Sequence, residues 1–335
     1  MEYRILGKTG LRVSRLGFGG IPIQRIDAEG TKALIRKLVE AGVNYIDTAR
    51  GYTVSEEYLG YALEGIRDKF VLATKGRGLT KEAMAADVET SLKNLRTDYI
   101  DLYQFHNPSL SDLKTITGPG GALEALQEAK AAGKIGHIGL TAHSTAVFAK
   151  ALEMDWVETV MFPYNIVESQ GEDLTRQRGE KNVGSICRKR LAGGANEQAT
   201  LALRYILANP DVTVAIPGMA AEGELAQNLA AAGDASPLSD GEKAEMQAIR
   251  DSLGTQFCRR CNYCAPCSVG ISIPNVFLMD GYLSRYGLAD WARGRYNAMA
   301  MKAGDCIGCG ECEKRCPYHL PIREMMQKVK EHFGA

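Results

Sequence analysis

The chain has 335 residues, of which 45% are hydrophobic and 24% charged, and its 40 Lys and Arg are balanced by 40 Asp and Glu. That length accommodates one large domain and one small one, and the balanced charge excludes the basic excess that nucleic acid or an anionic membrane surface would attract. No apolar run approaches the roughly 18 residues a membrane-spanning helix needs. The opening MEYRILGKTGLRVS contains no apolar leader, so no signal peptide is expected and the cytoplasm is the expected location.

In chain order, eight short apolar runs alternate with amphipathic stretches. The runs are VSRLGFGG (13–20), VNYIDTA (43–49), FVLATK (70–75), IDLYQFH (100–106), HIGLTA (137–142), TVMFPYN (159–165), VGSICRK (183–189) and VTVAIPG (212–218). Between them lie segments such as TKALIRKLVEAG, KEAMAADVETSLKNL and ATLALRYILANP, whose apolar residues recur at helical spacing. Eight strand–helix repeats predict an α/β fold, a (β/α)8 TIM barrel over residues 1–254. The nearly continuous apolar character of the runs suits strands buried on both faces. A doubly wound sheet is the alternative, yet no G-x-G-x-x-G follows the first run. A hairpin in EYRILGKTGLRVS is expected to close the barrel bottom.

Barrel enzymes carry their chemistry at the C-terminal ends of the strands. The second run ends with Asp47, with Tyr52 just beyond it; the third ends with Lys75 and the fourth with His106. A single His or Lys at such a place is more often structural than catalytic. Four polar groups on consecutive βα units would instead converge on one mouth. Their chemistry is coherent, because a carbonyl that accepts hydride develops an alkoxide needing a proton. A Tyr hydroxyl has an unperturbed pKa of about 10, poorly matched to neutral pH. A nearby ammonium favours the phenolate and lowers that pKa, which is the role expected of Lys75. Asp47 would pair with Lys75, and His106 would donate to the carbonyl oxygen.

The segments IDTARGY, LATK and DLYQFH resemble the catalytic tetrad segments of the aldo-keto reductases, and the resemblance covers residues 1 to 250. It implies an oxidoreductase moving hydride reversibly between NAD(P)H and a carbonyl or alcohol substrate, with Tyr52 as general acid. It also implies cofactor contacts at Gly19, Gly20, Thr141, His143, Met161, Lys189, Ile216, Gly218, Glu224 and Asn228. The family's common Ser-Asn pair is replaced by Thr141-Ala142, and a common Gln by Met161. Tyr164 stands at a cofactor position by motif, with a packing aromatic as the alternative. After the eighth strand the family often has IPKS and an Arg that grip the 2′-phosphate of NADP. Here the segment is IPGMAAEGELAQN, with Gly218 and Glu224 at those two places. A carboxylate repels a 2′-phosphate and accepts from a ribose hydroxyl, so NADH is favoured unless Arg188, Lys189 or Arg190 supplies a cation.

Eight of the nine cysteines fall in two groups, CRRCNYCAPC (258–267) and CIGCGECEKRC (306–316). Cys306, Cys309, Cys312 and Cys316, followed by Pro317, have the spacing of the bacterial [4Fe-4S] run, whose fourth ligand commonly reaches the other cluster. Cys258, Cys261, Cys264 and Cys267 depart from it, with one residue fewer before the last Cys and Ser268 in place of proline. If the crossover holds, Cys316 completes the first site and Cys267 the second. Paired zinc sites are the alternative, although zinc ribbons use separated C-x-x-C knuckles. The 38 residues between Cys267 and Cys306 carry Phe277, Tyr282, Trp291 and Tyr296 at helical spacing. Residues 255–335 therefore resemble a small α-helical ferredoxin-like domain, and the whole chain is similar to the aldo-keto reductase branch that carries one.

Carbonyl reduction by nicotinamide needs no iron. The clusters are therefore expected to be structural, redox-sensing or electron-relaying. In the alternative reading the chain is a ferredoxin-linked electron-transfer enzyme or module, passing electrons between a ferredoxin-type partner and a flavin or substrate at the barrel mouth. Cys187, inside an apolar run, is expected to be a core thiol.

Overall fold

The computed structural model describes residues 1–188, 199–253, 258–260, 262–284, 288–316 and 318–334. Lys189, Arg190, Cys261 and Pro317 lie outside them. By internal contacts the chain forms two compact units, with Ser239 onward in the second.

In the first unit a two-stranded antiparallel hairpin, β1 (Tyr3–Ile5) and β2 (Arg12–Ser14), precedes one sheet of eight parallel strands. These are β3 (Phe18–Gly19), β4 (Tyr45–Asp47), β5 (Val71–Gly76), β6 (Ile100–His106), β7 (Ile135–Thr141), β8 (Thr159–Pro163), β9 (Gly184–Arg188) and β10 (Val214–Ala215). Each lies beside its sequence neighbour, and parallel bridges Leu16–Ala215 and Gly19–Gly218 bring the last strand against the first, closing the barrel. All eight apolar runs became strands.

Between the strands run α1 (Ala28–Glu40), α2 (Ser55–Ala62), α3 (Lys81–Asn94), α4 (Leu110–Thr117), α5 (Ala122–Ala131), α6 (Thr145–Ala151), α7 (Glu172–Glu180), α8 (Ala199–Ala208) and α9 (Glu222–Gly233). Their starts are set locally. The Asp27 side chain accepts from Gly30 N–H, Thr80 from Ala83 N–H, and Ser109 and Asp112 form a reciprocal capping box.

The two-residue strand period decides which side chains look inward. Tyr45, Ala73, Leu102, Met161 and Ile186 fill the barrel interior with Leu6 and Val13 from the hairpin region. Their strand neighbours Ile46, Leu72, Tyr103 and Phe105 instead pack outward, in one cluster with Leu34, Met84 and Leu126 of the helices. Two residues beyond Tyr45 and Ala73 stand Asp47 and Lys75, and beyond Leu102 come Gln104 and His106. The same alternation that builds the core thus aims these polar groups at the barrel's interior end.

The second unit contains α10 (Asp240–Leu253), α11 (Ile273–Ser284), α12 (Ala289–Asn297), α13 (Glu311–Lys314) and α14 (Ile322–Phe333). Its own core includes Val276, Phe277, Tyr296, Met326 and Val329, together with Cys264, Cys312 and Cys316. Tyr296 stacks on Phe333 with ring centres 3.9 Å apart, and its hydroxyl accepts from Ala303 N–H at 3.0 Å. Trp291 packs edge-on against Tyr282, so both insert aromatics serve the core. Among the described residues no helix is long and apolar enough to cross a membrane.

Candidate functional site

Asp47, Lys75 and His106 stand at the ends of three adjacent strands. Lys75 is fully buried; its ammonium donates to the Asp47 carboxylate and, at 2.7 Å, to the Thr48 carbonyl. Gln104 Nε2 donates to the other Asp47 oxygen at 3.0 Å. Burial pushes the Lys75 pKa down, opposed by the attraction of Asp47. Tyr52 enters from the turn after β4, where its N–H donates to the Ala49 carbonyl at 3.0 Å. Lys75 Nζ lies 5.0 Å from the Tyr52 ring centre, and the His106 ring meets Tyr52 edge-on at 5.8 Å. Burial holds the His106 pKa well below its usual 6.5, reinforced by the charges of Lys75, Arg77 and Arg188. These effects favour the neutral imidazole, whose buried Nδ1 finds no hydrogen-bond partner among the described residues. A buried ammonium, a phenol and a neutral imidazole around one point can hand a proton to an oxygen without adding a further positive charge.

The rim is built largely of backbone. Gly20 N–H donates to the Asp47 carbonyl at 2.8 Å and Gly19 N–H to the Pro217 carbonyl at 3.0 Å. A Cβ on Gly218 would stand 2.5 Å from Pro22 Cγ, and one on Gly19 would stand 2.9 Å from the Ile216 carbonyl oxygen. The chain at the exits of β3 and β10 is thus packed too closely to admit a side chain at either glycine. Thr141 is buried and its hydroxyl accepts from Asn107 N–H at 2.9 Å, holding the turn after His106. His143 follows β7 and is half-buried. Met161 and Ile216 are packed in the barrel interior, and Asn228 is buried in α9. Tyr164 stacks on Tyr205 at 5.1 Å, a packing arrangement. Cys187 is a buried thiol donating to the Tyr164 carbonyl at 3.1 Å, and burial raises its pKa far above the ordinary thiol range.

None of the eight described cysteines is in a disulfide. In the second unit Cys264, Cys312 and Cys316 are buried, Cys258, Cys267 and Cys306 half-buried, and Cys309 exposed. Cys267, Cys306, Cys309 and Cys312 line one cavity, the four that the crossover pattern assigns to one site. The two runs share a backbone path. Left-handed residues stand two and four places after the first cysteine in each: Arg260 and Asn262 (φ +58° and +68°), Gly308 and Gly310 (φ +70° and +76°). The fourth cysteines are also equivalent. Three residues on from Cys267 and Cys316 come left-handed Gly270 and His319, and six residues on begin α11 and α14. Cys267 therefore occupies the place of Cys316, despite its shortened spacing. Among the described residues no three His, Cys, Asp or Glu groups meet as closely as one metal ion requires. A cubane spaces its four ligands more widely than a single ion does, and the thiol set fits it.

The pattern of the aldo/keto reductase family matches residues 15–199, most of the barrel. The chain belongs to that family. A 4Fe-4S dicluster domain matches residues 257–321, so this aldo/keto reductase carries an iron–sulfur domain after its barrel. It is 27% identical to L-galactose dehydrogenase of Arabidopsis thaliana over 76% of this chain and 95% of that protein. It is 32% identical to the aldo-keto reductase YhdN of Bacillus subtilis over 60% of this chain and 66% of that one. The holo structure of aldo-keto reductase AKR11C1 from Bacillus halodurans superposes with a TM-score of 0.65 at 28% identity, covering 74% of this chain and 96% of its own. The family relationship makes the protein an oxidoreductase that uses NAD(P)H.

Two site features have no signature in the sequence. Glu56, in the first turn of α2, is 1% exposed and gathers Arg50 Nη1 (2.8 Å), Thr74 Oγ1 (2.8 Å) and Ser91 Oγ (2.8 Å). Arg50 is thereby held as a structural cation behind the mouth of this aldo/keto reductase, while exposed Arg77 sits just past β5. At the other rim Arg25 pairs with Glu224 at 3.4 Å, and the second Glu224 oxygen accepts from Ala220 N–H at 2.7 Å.

Proposed function

We propose that this protein is an NADH-favouring carbonyl reductase, reversible toward alcohol oxidation, in which Tyr52 gives its phenolic proton to the substrate oxygen. One observation carries the reading: Lys75, anchored by Asp47, lies 5.0 Å from the centre of the Tyr52 ring, beside a neutral His106. A bound nicotinamide supplies the hydride that this proton complements. Lys75 favours the phenolate left on Tyr52, and Asp47 keeps the ammonium charged and in place. His106, uncharged, donates one N–H to the carbonyl oxygen and orients the substrate. Backbone at Gly19, Gly20 and Gly218 would carry the dinucleotide, and the Glu224 carboxylate would accept from a free ribose hydroxyl.

In the second unit, Cys258, Cys261, Cys264 and Cys316 would hold one [4Fe-4S] cluster, and Cys306, Cys309, Cys312 and Cys267 the other. The exposure of Cys309 favours a second reading, in which the clusters exchange electrons with a ferredoxin-type partner. Bleaching of the brown absorption by NADH alone, without oxygen, would support that relay; an unchanged band would count against it.

The test of the main reading is reduction of para-nitrobenzaldehyde by NADH. Tyr52→Phe is expected to lower kcat by about 10²- to 10⁴-fold while NADH binding, followed by fluorescence, is retained. Full activity in that variant would refute the assignment.

A further inference from the structure

In the second cysteine run the fourth ligand is followed by Pro317, which has neither an N–H nor a hydroxyl to offer. In the first run the equivalent residue is Ser268. Its hydroxyl lies 3.5 Å from the Sγ of Cys309, 41 residues away in sequence. Cys309 lines the cavity that Cys267 also lines, so Ser268 serves the site its own neighbour completes. When Cys309 is a thiolate ligand it has no proton, and Ser268 is the donor. A hydrogen bond to a cluster sulfur stabilises the more negative, reduced state and raises the reduction potential.

Cations do not distinguish the sites. Arg315 and Arg323 line the cavity of the Cys309 site. In the other run Arg259 is buried over the Tyr318 ring at 4.0 Å, next to Arg260. The backbone repeat is shared as well, with left-handed residues at the same places in both loops. Besides the shorter spacing before Cys267, the described residues of the two halves differ in the hydroxyl at 268 and in the surface position of Cys309, which stands near Ile307, an apolar side chain 66% exposed.

We propose that Ser268 sets the cluster of Cys267, Cys306, Cys309 and Cys312 at the higher potential of the pair, so that an electron in the module rests at the exposed Cys309 site. This rests on the two-cluster reading above. Each cubane exchanges one electron, so the step is a one-electron transfer from the Cys258–Cys264–Cys316 site to the Cys309 site, with no bond made or broken. Ser268 keeps its proton throughout and acts as a positioning and tuning residue.

The experiment is a dithionite titration of the full-length protein, purified without oxygen and followed by electron paramagnetic resonance, after iron and sulfide have been counted. Ser268→Ala is expected to lower one potential and leave the other unchanged. The reduced-to-oxidised ratio of that cluster at fixed potential should fall by up to about tenfold, equivalent to about 59 mV for a one-electron couple. Ser268→Thr, which keeps the hydroxyl, should restore the wild-type value. Deuterium exchange should show, on the cluster that is reduced first, one solvent-exchangeable proton coupling that Ser268→Thr keeps and Ser268→Ala lacks. Full iron loading with unchanged potentials, or no such proton on the first-reduced cluster, would overturn the inference alone. Iron and sulfide for only one cubane in the wild type would overturn the two-cluster reading beneath it.

Discussion

Arg25 and Glu224 form an ion pair at 3.4 Å although 199 positions separate them. They join the loop after β3 to α9, beside the segment that follows β10. Both partners are partly exposed, so the pair itself adds little stability, about 0–1 kcal/mol. Its consequence lies in charge: the carboxylate proposed to oppose a 2′-phosphate also pairs with the Arg25 cation.

Glu224→Ala therefore acts twice, removing a repulsive charge and releasing Arg25. The ratio of kcat/KM for NADPH to that for NADH should rise by about tenfold or more, roughly 1.4 kcal/mol of discrimination. Steady-state kinetics with both cofactors checks this, and an unchanged ratio would exclude Glu224 from cofactor choice.

Restoring the family's lysine at position 218 should fail on steric grounds. A Cβ there would lie 2.5 Å from Pro22 Cγ and 2.9 Å from its Cδ, so Gly218→Lys is expected to destabilise the barrel by about 1–3 kcal/mol. The double variant with Pro22→Ala should recover part of that loss, because contacting residues couple. Thermal unfolding of the single and double variants decides it; additive losses would show that the clash is not the cause.

His106 predicts a pH dependence. Its folded pKa lies well below 6.5 because burial disfavours the charged ring. Between that value and 6.5 the unfolded chain binds more protons, so stability falls as pH drops below about 6.5 and is unaffected above it. For catalysis, His106 should stay neutral across the working range, and kcat/KM for carbonyl reduction should show no ionisation near 6.5 that His106→Gln removes. A limb at that pH that disappears in the variant would contradict a neutral His106.

Arg260 has φ +58°, a conformation that costs an L-residue about 1–2 kcal/mol and glycine nearly nothing. Arg260→Gly should keep full iron content and raise the thermal midpoint of the second unit. Arg260→Val, stiff at its branched Cβ, should lose iron. Iron per chain in the two variants is the measurement, and equal loading in the Val variant would show that the left-handed turn is not required.

Much of this protein is legible along the chain because it rests on periodicity and spacing. The eight apolar runs became eight strands since two-sided burial leaves a continuous apolar record. Asp47, Lys75 and His106 could be placed at strand ends for the same reason, and the cysteine groups announced iron by local spacing alone. Pairings between distant segments were beyond sequence reading. Nothing near Glu56 marks it as a buried hub, because the hydroxyls of Thr74 and Ser91 that satisfy it come from other elements. The Gly218 and Pro22 contact, the Arg25 and Glu224 pair, and the Ser268 hydroxyl beside Cys309 depend on side chains meeting through space. The sequence alone determined which chemistries are present and in what order. Tertiary structure decided which groups burial favours as neutral, which charges are already paired, and which of the described cysteines stands at the surface, because burial and distance set those and neither is written in any one segment.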